Sequence, residues 1–308
     1  VFTWSGGIFT RREFMKNPVI ATRELVRGAA RFHDLIYVIS KGKTLVRDEI
    51  AHTSVVSVDG GDWADGVDTH WNSTAIAVAR RPSEKMVLIG EDGEVATYVG
   101  GKSTKESLKP APVMIRNARE IGGFVFACGM KRQVYKRVGE AKWVAMNAPA
   151  AAATEKAGFE AIDGYSETDI YAAGWGGEVW RFDGKGWAPC DSPTRVILSA
   201  VCCAPDGSVY VAGQQGVLLK GRGSAFAAVA WEEEVTSDLW DLCWFRDKLY
   251  VATTTALYTL EGNRLVEVDF GEVGTPTCQS LTTAEDVLWS IGRDDVASFD
   301  GTAWRRYE

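Results

Sequence analysis

The chain has 308 residues, of which 46% are hydrophobic and 24% charged, a composition that fits a folded globular protein and excludes a disordered one. Its formal net charge is -7, and its basic residues fall in scattered pairs such as Arg11–Arg12, Arg80–Arg81 and Lys131–Arg132. That pattern argues against a nucleic-acid groove, and no apolar run approaches the length of a membrane span.

In chain order, the opening VFTWSGGIFT lacks the basic-then-apolar plan of a signal peptide and is expected to add a strand or to fasten the fold. ELVRGAARFHD follows as a candidate inner strand, and then LIYVISKGKTLVRD, from Leu35 to Asp48. DGGDWADGVDTHWN reads as an elongated loop. Five further segments share the plan of the Leu35 segment: MVLIGEDGEVATYVG from Met86, FVFACGMKRQVYKRVG from Phe124, DIYAAGWGGEVWRFDG from Asp169, SVYVAGQQGVLLKG and KLYVATTTALYTLEG. The last copy, VLWSIGRDDVASFDG, ends at Gly301.

In every copy an apolar strand ends in a small residue, a tight polar turn follows, and a second apolar strand ends near a glycine. The small residues are Ser40, Gly90, Gly129, Gly174, Gly213, Thr253 and Gly292, spaced by 50, 39, 45, 39, 40 and 39 residues. A period near forty with flanking strands on both sides predicts an all-β, seven-bladed β-propeller of four-stranded antiparallel blades. The expected domain is residues 1–308, with blades at 22–60, 70–108, 113–150, 158–192, 196–231, 237–271 and 277–308. Six blades plus a divergent N-terminal element is the alternative count. Small residues suit the crowded inner strands, and Trp180, Trp187, Trp244 and Trp304 are expected to fill the wider gaps between blades.

DIYAAGWGGEVWRFDGKGW resembles bacterial propeller repeats that run apolar strand, Ala-x-Gly, turn, apolar strand, Asp-Gly, Trp; VLWSIGRDDVASFDGTAW looks like the same unit. SVDGGDW (Ser57–Trp63) and SFDGTAW (Ser298–Trp304) are distantly similar to sialidase-type Asp boxes. The resemblance implies an architecture, since Asp boxes stabilise hairpins even in enzymes. Kelch and WD repeats fit less well.

The turns between the two repeated strands should project from one face and vary while the framework repeats, which is how a rigid scaffold acquires a binding surface. Candidate interaction residues there are Lys41, Asp92, Lys131, Arg132, Trp175, Gln214, Gln215, Arg293 and Asp294. Trp175 is expected to stand exposed at a turn tip. The connector WEEEVTSDLW adds Trp231 and Glu233, a mixed aromatic and acidic surface suited to a basic protein partner.

The six cysteines show no Cys-x-x-Cys pair and read as buried thiols of a reducing, cytoplasmic compartment. The three histidines lack metal spacing, and no nucleophile or phosphate-loop motif is present, so no catalytic residue, metal ligand or cofactor is assigned. The expected function is non-catalytic binding of a protein partner, as a cytoplasmic inhibitor, an assembly factor or a toxin-neutralising immunity protein, with no nucleic acid or membrane involved. The alternative is a propeller enzyme, a glycan hydrolase or lyase, or a lectin; acid–base pairs would then come from Asp92, Glu232, Asp238, Asp294 and Asp295.

Overall fold

The computed structural model describes residues 17–150 and 156–307. Seven antiparallel sheets of four strands each follow one another along the chain. Blade 1 holds β1 (Arg23–Ala30), β2 (Leu35–Gly42), β3 (Thr53–Asp59) and β4 (Asp62–Thr69); blade 2 holds β5 (Ser73–Ala79), β6 (Lys85–Gly90), β7 (Glu94–Val99) and β8 (Lys102–Ser107). Blade 3 is β9 (Ile115–Ile121), β10 (Phe124–Gly129), β11 (Gln133–Gly139) and β12 (Lys142–Ala145); blade 4 is β13 (Phe159–Ser166), β14 (Asp169–Gly174), β15 (Val179–Phe182) and β16 (Trp187–Cys190). Blade 5 is β17 (Leu198–Cys203), β18 (Val209–Gly213), β19 (Leu218–Arg222) and β20 (Ala225–Ala228). Blades 6 and 7 are β21 (Asp241–Phe245), β22 (Lys248–Ala252), β23 (Leu257–Glu261), β24 (Arg264–Glu267), and β25 (Ser280–Ala284), β26 (Val287–Ile291), β27 (Val296–Phe299), β28 (Trp304–Tyr307). Seven complete sheets exclude the six-blade count.

Burial peaks in the second strand of each blade and falls toward the outer edge. The second strands are buried on both faces, as in β6 and β14, whereas the outermost β8 reads KSTKES and is almost wholly exposed. Lysines on such an edge discourage pairing with another chain. Each gap between neighbouring blades holds its own apolar cluster, seven in all. Trp180 and Trp187 pack between blades 3 and 4, Trp244 between 5 and 6, and Trp304 between 6 and 7, the filling role expected of them.

The ring closes without exchanging a strand among the described residues. Leu25, Ile36 and Val58 of blade 1 pack on Trp289, Ile291, Val296 and Tyr307 of blade 7, and Leu25 N donates to Arg293 O at 2.9 Å. The opening VFTWSGGIFT lies outside the described residues.

The repeated small residue at the end of each second strand has a steric cause. A Cβ at Gly129, Gly174 or Gly213 would land on the carbonyl oxygen of Met114, Gly158 or Ile197, where the first strand of the same blade begins. At Ser40 and Thr253 a hydroxyl is accommodated by bonding a backbone carbonyl, Ser54 O and Ala256 O respectively.

The segment DGGDWADGVDTHWN is not a loop. Gly60 and Gly61, both at positive φ, form a two-residue hairpin turn, and Asp62–Thr69 continues as β4. The extra length of the first unit lies instead in its turn between β2 and β3, which carries a short helix, Lys43–Arg47. His52 anchors that turn: its Nε2 accepts from Gly42 N at 2.8 Å and its Nδ1 lies 2.7 Å from Ile50 O.

Candidate protein-interaction site at the channel mouth

In an antiparallel four-stranded blade, the turn between the second and third strands and the connector to the next blade emerge on the same side. Contacts confirm it: Gln215 N donates to Asp238 Oδ1 (2.9 Å), and Trp231 Nε1 donates to Gly216 O (2.8 Å). This side is called the upper face below.

At the centre of the upper face the inner strands share one irregularity. The register slips by one residue between Leu25 and Arg27, Ser73 and Ala75, Ile115 and Asn117, Phe159 and Ala161, and Leu198 and Ala200. A β-bulge re-aims the extra side chain. Here the extra residues are Val26, Thr74, Arg116, Glu160 and Ser199, and all five line one opening of about 150 Å³. Arg27, Trp240, Gln279 and Ser280 complete it, so every blade contributes to the mouth.

The mouth contains a bonded network. Arg116 Nε approaches both Glu160 oxygens (3.1 and 2.9 Å), and Trp175 Nε1 donates to Glu160 Oε1 at 2.6 Å. Below it a second cavity of about 200 Å³ runs along the axis, lined by Arg27, Arg119, Asp241 and Cys243 among others. Asp163 Oδ2 accepts from Cys203 N (2.8 Å) and Asp241 Oδ2 from Leu281 N (2.8 Å), so each carboxylate ties its inner strand to that of the next blade. Arg119 lies 3.9 Å from Asp163. Burial opposes charge on Arg119, but Asp163 and Asp241 outweigh it and hold the guanidinium protonated; burial pushes the Asp163 carboxyl up.

No protein-family model matches the chain. Over 296 residues it is 41% identical to the immune protein Tsi7 of Pseudomonas aeruginosa, a match spanning 92% of this chain and 96% of that relative. The chain belongs to this bacterial immunity-protein family. It is a non-catalytic, protein-binding propeller of the immunity type. Among solved structures, YCF48 bound to D1 peptide aligns with a TM-score of 0.67 at 14% identity, over 95% of this chain and 93% of that one. The computationally designed Ika8 protein aligns with a TM-score of 0.61 at 11% identity, over 93% and 86%. At those identities the two structures bear on the fold alone.

The immunity-type propeller places the sequence-derived candidates unevenly. Asp92, Gln214, Gln215 and Arg293 are exposed on the upper face, where Arg293 bonds Glu24 of β1; Glu233 is exposed on the connector from blade 5 to blade 6, 3.7 Å from Arg264 beside the β23–β24 turn. Lys41 is half-buried and reaches Asn72 Oδ1 at 3.4 Å; Asp294 lies 3.5 Å from Lys43. Lys131 shares its turn with Arg132, both at positive φ.

One expectation, for Trp175, is corrected, and two other candidates are held by neighbouring blades. The Arg132 side chain is 11% exposed, pairs with Glu178 at 2.7 Å and stacks 4.9 Å from the Trp180 ring centroid, pinning blade 3 to blade 4. Trp175 does not stand at a turn tip; its indole bends inward to Glu160 and is half-buried. Trp231 closes the gap between blades 5 and 6.

The carboxylates considered for an enzyme are not gathered. Asp92, Glu232, Asp238, Asp294 and Asp295 belong to three separate turns and connectors, and none lines either axial cavity. Asp295 is buried against Arg306 at 3.1 Å. Among the described residues no group of three His, Cys, Asp or Glu side chains is placed to hold a metal, and no helix is long and apolar enough to cross a membrane. Six cysteines are free thiols, four of them buried.

Sequence reasoning missed Arg27, Arg116, Glu160 and Trp240. A usable signal existed: Thr74, Arg116, Glu160 and Ser199 are each the second residue of their inner strand.

Proposed function

We propose that the chain protects its cell by binding and neutralising a toxic protein through the upper face. The similarity to an immune protein along nearly the whole chain carries this reading. The distribution of exposed apolar side chains supports the choice of face. Of the large hydrophobic residues left open to solvent, Leu45, Val46 and Ile50 sit in the blade 1 turn, Val113 and Met114 in the connector to blade 3, and Trp240 at the mouth. Isolated exposed hydrophobics are ordinary, but six on one loop-built face suit a protein contact.

The partner's rim is proposed to be basic opposite blade 6, where Glu232, Glu233 and Glu234 are exposed beside a groove of about 250 Å³ under Trp231 and Tyr258. Opposed charge there would mainly speed encounter and suppress wrong partners. The site of action is proposed to be the cytoplasm, where free thiols persist.

A competition assay tests the reading. A strain deleted for this gene is grown in contact with its parent and loses, and a plasmid copy restores its survival. A deletion strain that competes equally would refute protection.

A further inference from the structure

The charges along the axis are formally balanced, but they are not evenly paired. Among the described residues, Glu160 is saturated by Arg116 and the Trp175 indole. Asp163 and Asp241 each accept two backbone amides, from Gly164 and Cys203 and from Leu242 and Leu281, and both lie in the field of Arg119. Arg27 differs. It follows the bulged Val26 on β1 and lines both the mouth and the axial cavity, and its guanidinium has no hydrogen bond or ion pair to any described residue.

The unused capacity of the mouth is therefore donor capacity. A guanidinium offers five N–H groups in a planar fork that matches a carboxylate. Its surroundings favour such a ligand: Thr74 and Ser199 are small and polar, and Trp240, 43% exposed, offers an apolar wall on the rim. The preformed Arg116–Glu160–Trp175 bonds fix the opposite rim, so little ordering is left to accompany binding.

We infer that Arg27 at the floor of the mouth receives an aspartate or glutamate side chain of the protein partner, which enters past Trp240. The inference rests on the protein-binding reading and names the chemistry at its centre: an acidic anchor in the mouth, inside the basic rim proposed for blade 6.

Two arms separate failure of this inference from failure of the broader reading. In the first, the protein labelled with ¹⁵N-arginine is titrated with glutarate as the probe. The Nε–Hε signal assigned by its loss in Arg27→Gln is expected to move in a saturable way. A signal indifferent to glutarate, with the other arginine signals equally unmoved, overturns the inference whether or not a partner is known. In the second, the parent strain's toxic protein, found as the one whose deletion lets the strain lacking this gene survive, is titrated onto wild type, Arg27→Gln, Arg27→Lys and Trp240→Ala, each checked for an unchanged thermal transition. Loss of a buried charged partner predicts weakening on the order of 30-fold or more for Arg27→Gln, with partial recovery in Arg27→Lys. Affinity within twofold of wild type for Arg27→Gln rejects the acidic anchor while leaving the immunity reading intact. If glutarate moves Arg27 but no toxic protein binds wild type, the immunity reading fails and the carboxylate site stands.

Discussion

Replacing Arg137 by Met should separate blades 2 and 3 energetically more than any surface change. Arg137 on β11 is fully buried and Glu106 on β8 is 3% exposed. Arg137 Nη2 and Nε donate to Glu106 at 2.7 and 3.1 Å, and Nη2 also reaches Glu140 at 3.0 Å. Glu106 further accepts from Ala141 N (3.1 Å) and Trp143 Nε1 (2.9 Å). Removing the arginine leaves a buried carboxylate without its cation, a loss of about 3–5 kcal/mol. For a chain of this size that corresponds to roughly 6–10 °C in Tm. Urea titration followed by tryptophan fluorescence measures it.

The pH dependence has a definite sign. Burial raises the Glu106 carboxyl, but the bonds from Arg137, Ala141 and Trp143 outweigh it and leave it lowered. In wild type its contribution is full above the unfolded carboxylate value and disappears as pH falls through the lowered one. In Arg137→Met only burial and the two weaker donors remain, so the carboxyl moves up and protonation relieves the variant. The stability gap between the two proteins therefore narrows on acidification. A variant within 1 kcal/mol of wild type at pH 7, or a gap that widens in acid, would refute this account of the pair.

Other outcomes follow from the same packing. Trp289, fully buried at the ring closure and stacked 5.2 Å from Tyr307, should cost about 3–5 kcal/mol on truncation to Ala. Trp289→Phe should cost much less, because the indole Nε1 has no hydrogen-bond partner among the described residues; calorimetry of both variants checks it. Arg132→Ala should lower stability by about 1–3 kcal/mol, through the unpaired Glu178, while partner affinity measured by calorimetric titration stays unchanged. Burial pushes the thiols up, Cys243 to about 12 and Cys190 and Cys278 to about 11, so a disulfide reagent at pH 8 should react slowly with the native protein and rapidly with all six thiols in denaturant.

The propeller was legible because the second and third strands of each blade carry most of the apolar signal, and steric contact at Gly129, Gly174 and Gly213 repeats the same residue at intervals of 45 and 39 residues. Outer strands such as KSTKES carry little pattern because only one side of each is covered. The length anomaly of the first unit was visible, but its position was not: the glycines at 60 and 61 serve a tight hairpin, while the short helix Lys43–Arg47 occupies a turn with no strong sequence punctuation. The site was less legible than the fold. Arg132 and Trp175 look like free turn residues until Glu178 and Glu160, brought in from neighbouring strands, are seen to hold them. The mouth residues are set by bulges, and a bulge changes where a side chain points without altering the repeat.

Hydrogen exchange of the chain alone and in complex with the toxic protein would test the central claim most directly. The account predicts new protection in the upper-face segments 43–50, 109–114 and 231–240, with the turns between first and second strands on the opposite face unchanged. Protection confined to that opposite face or to the outer strand edges would contradict it.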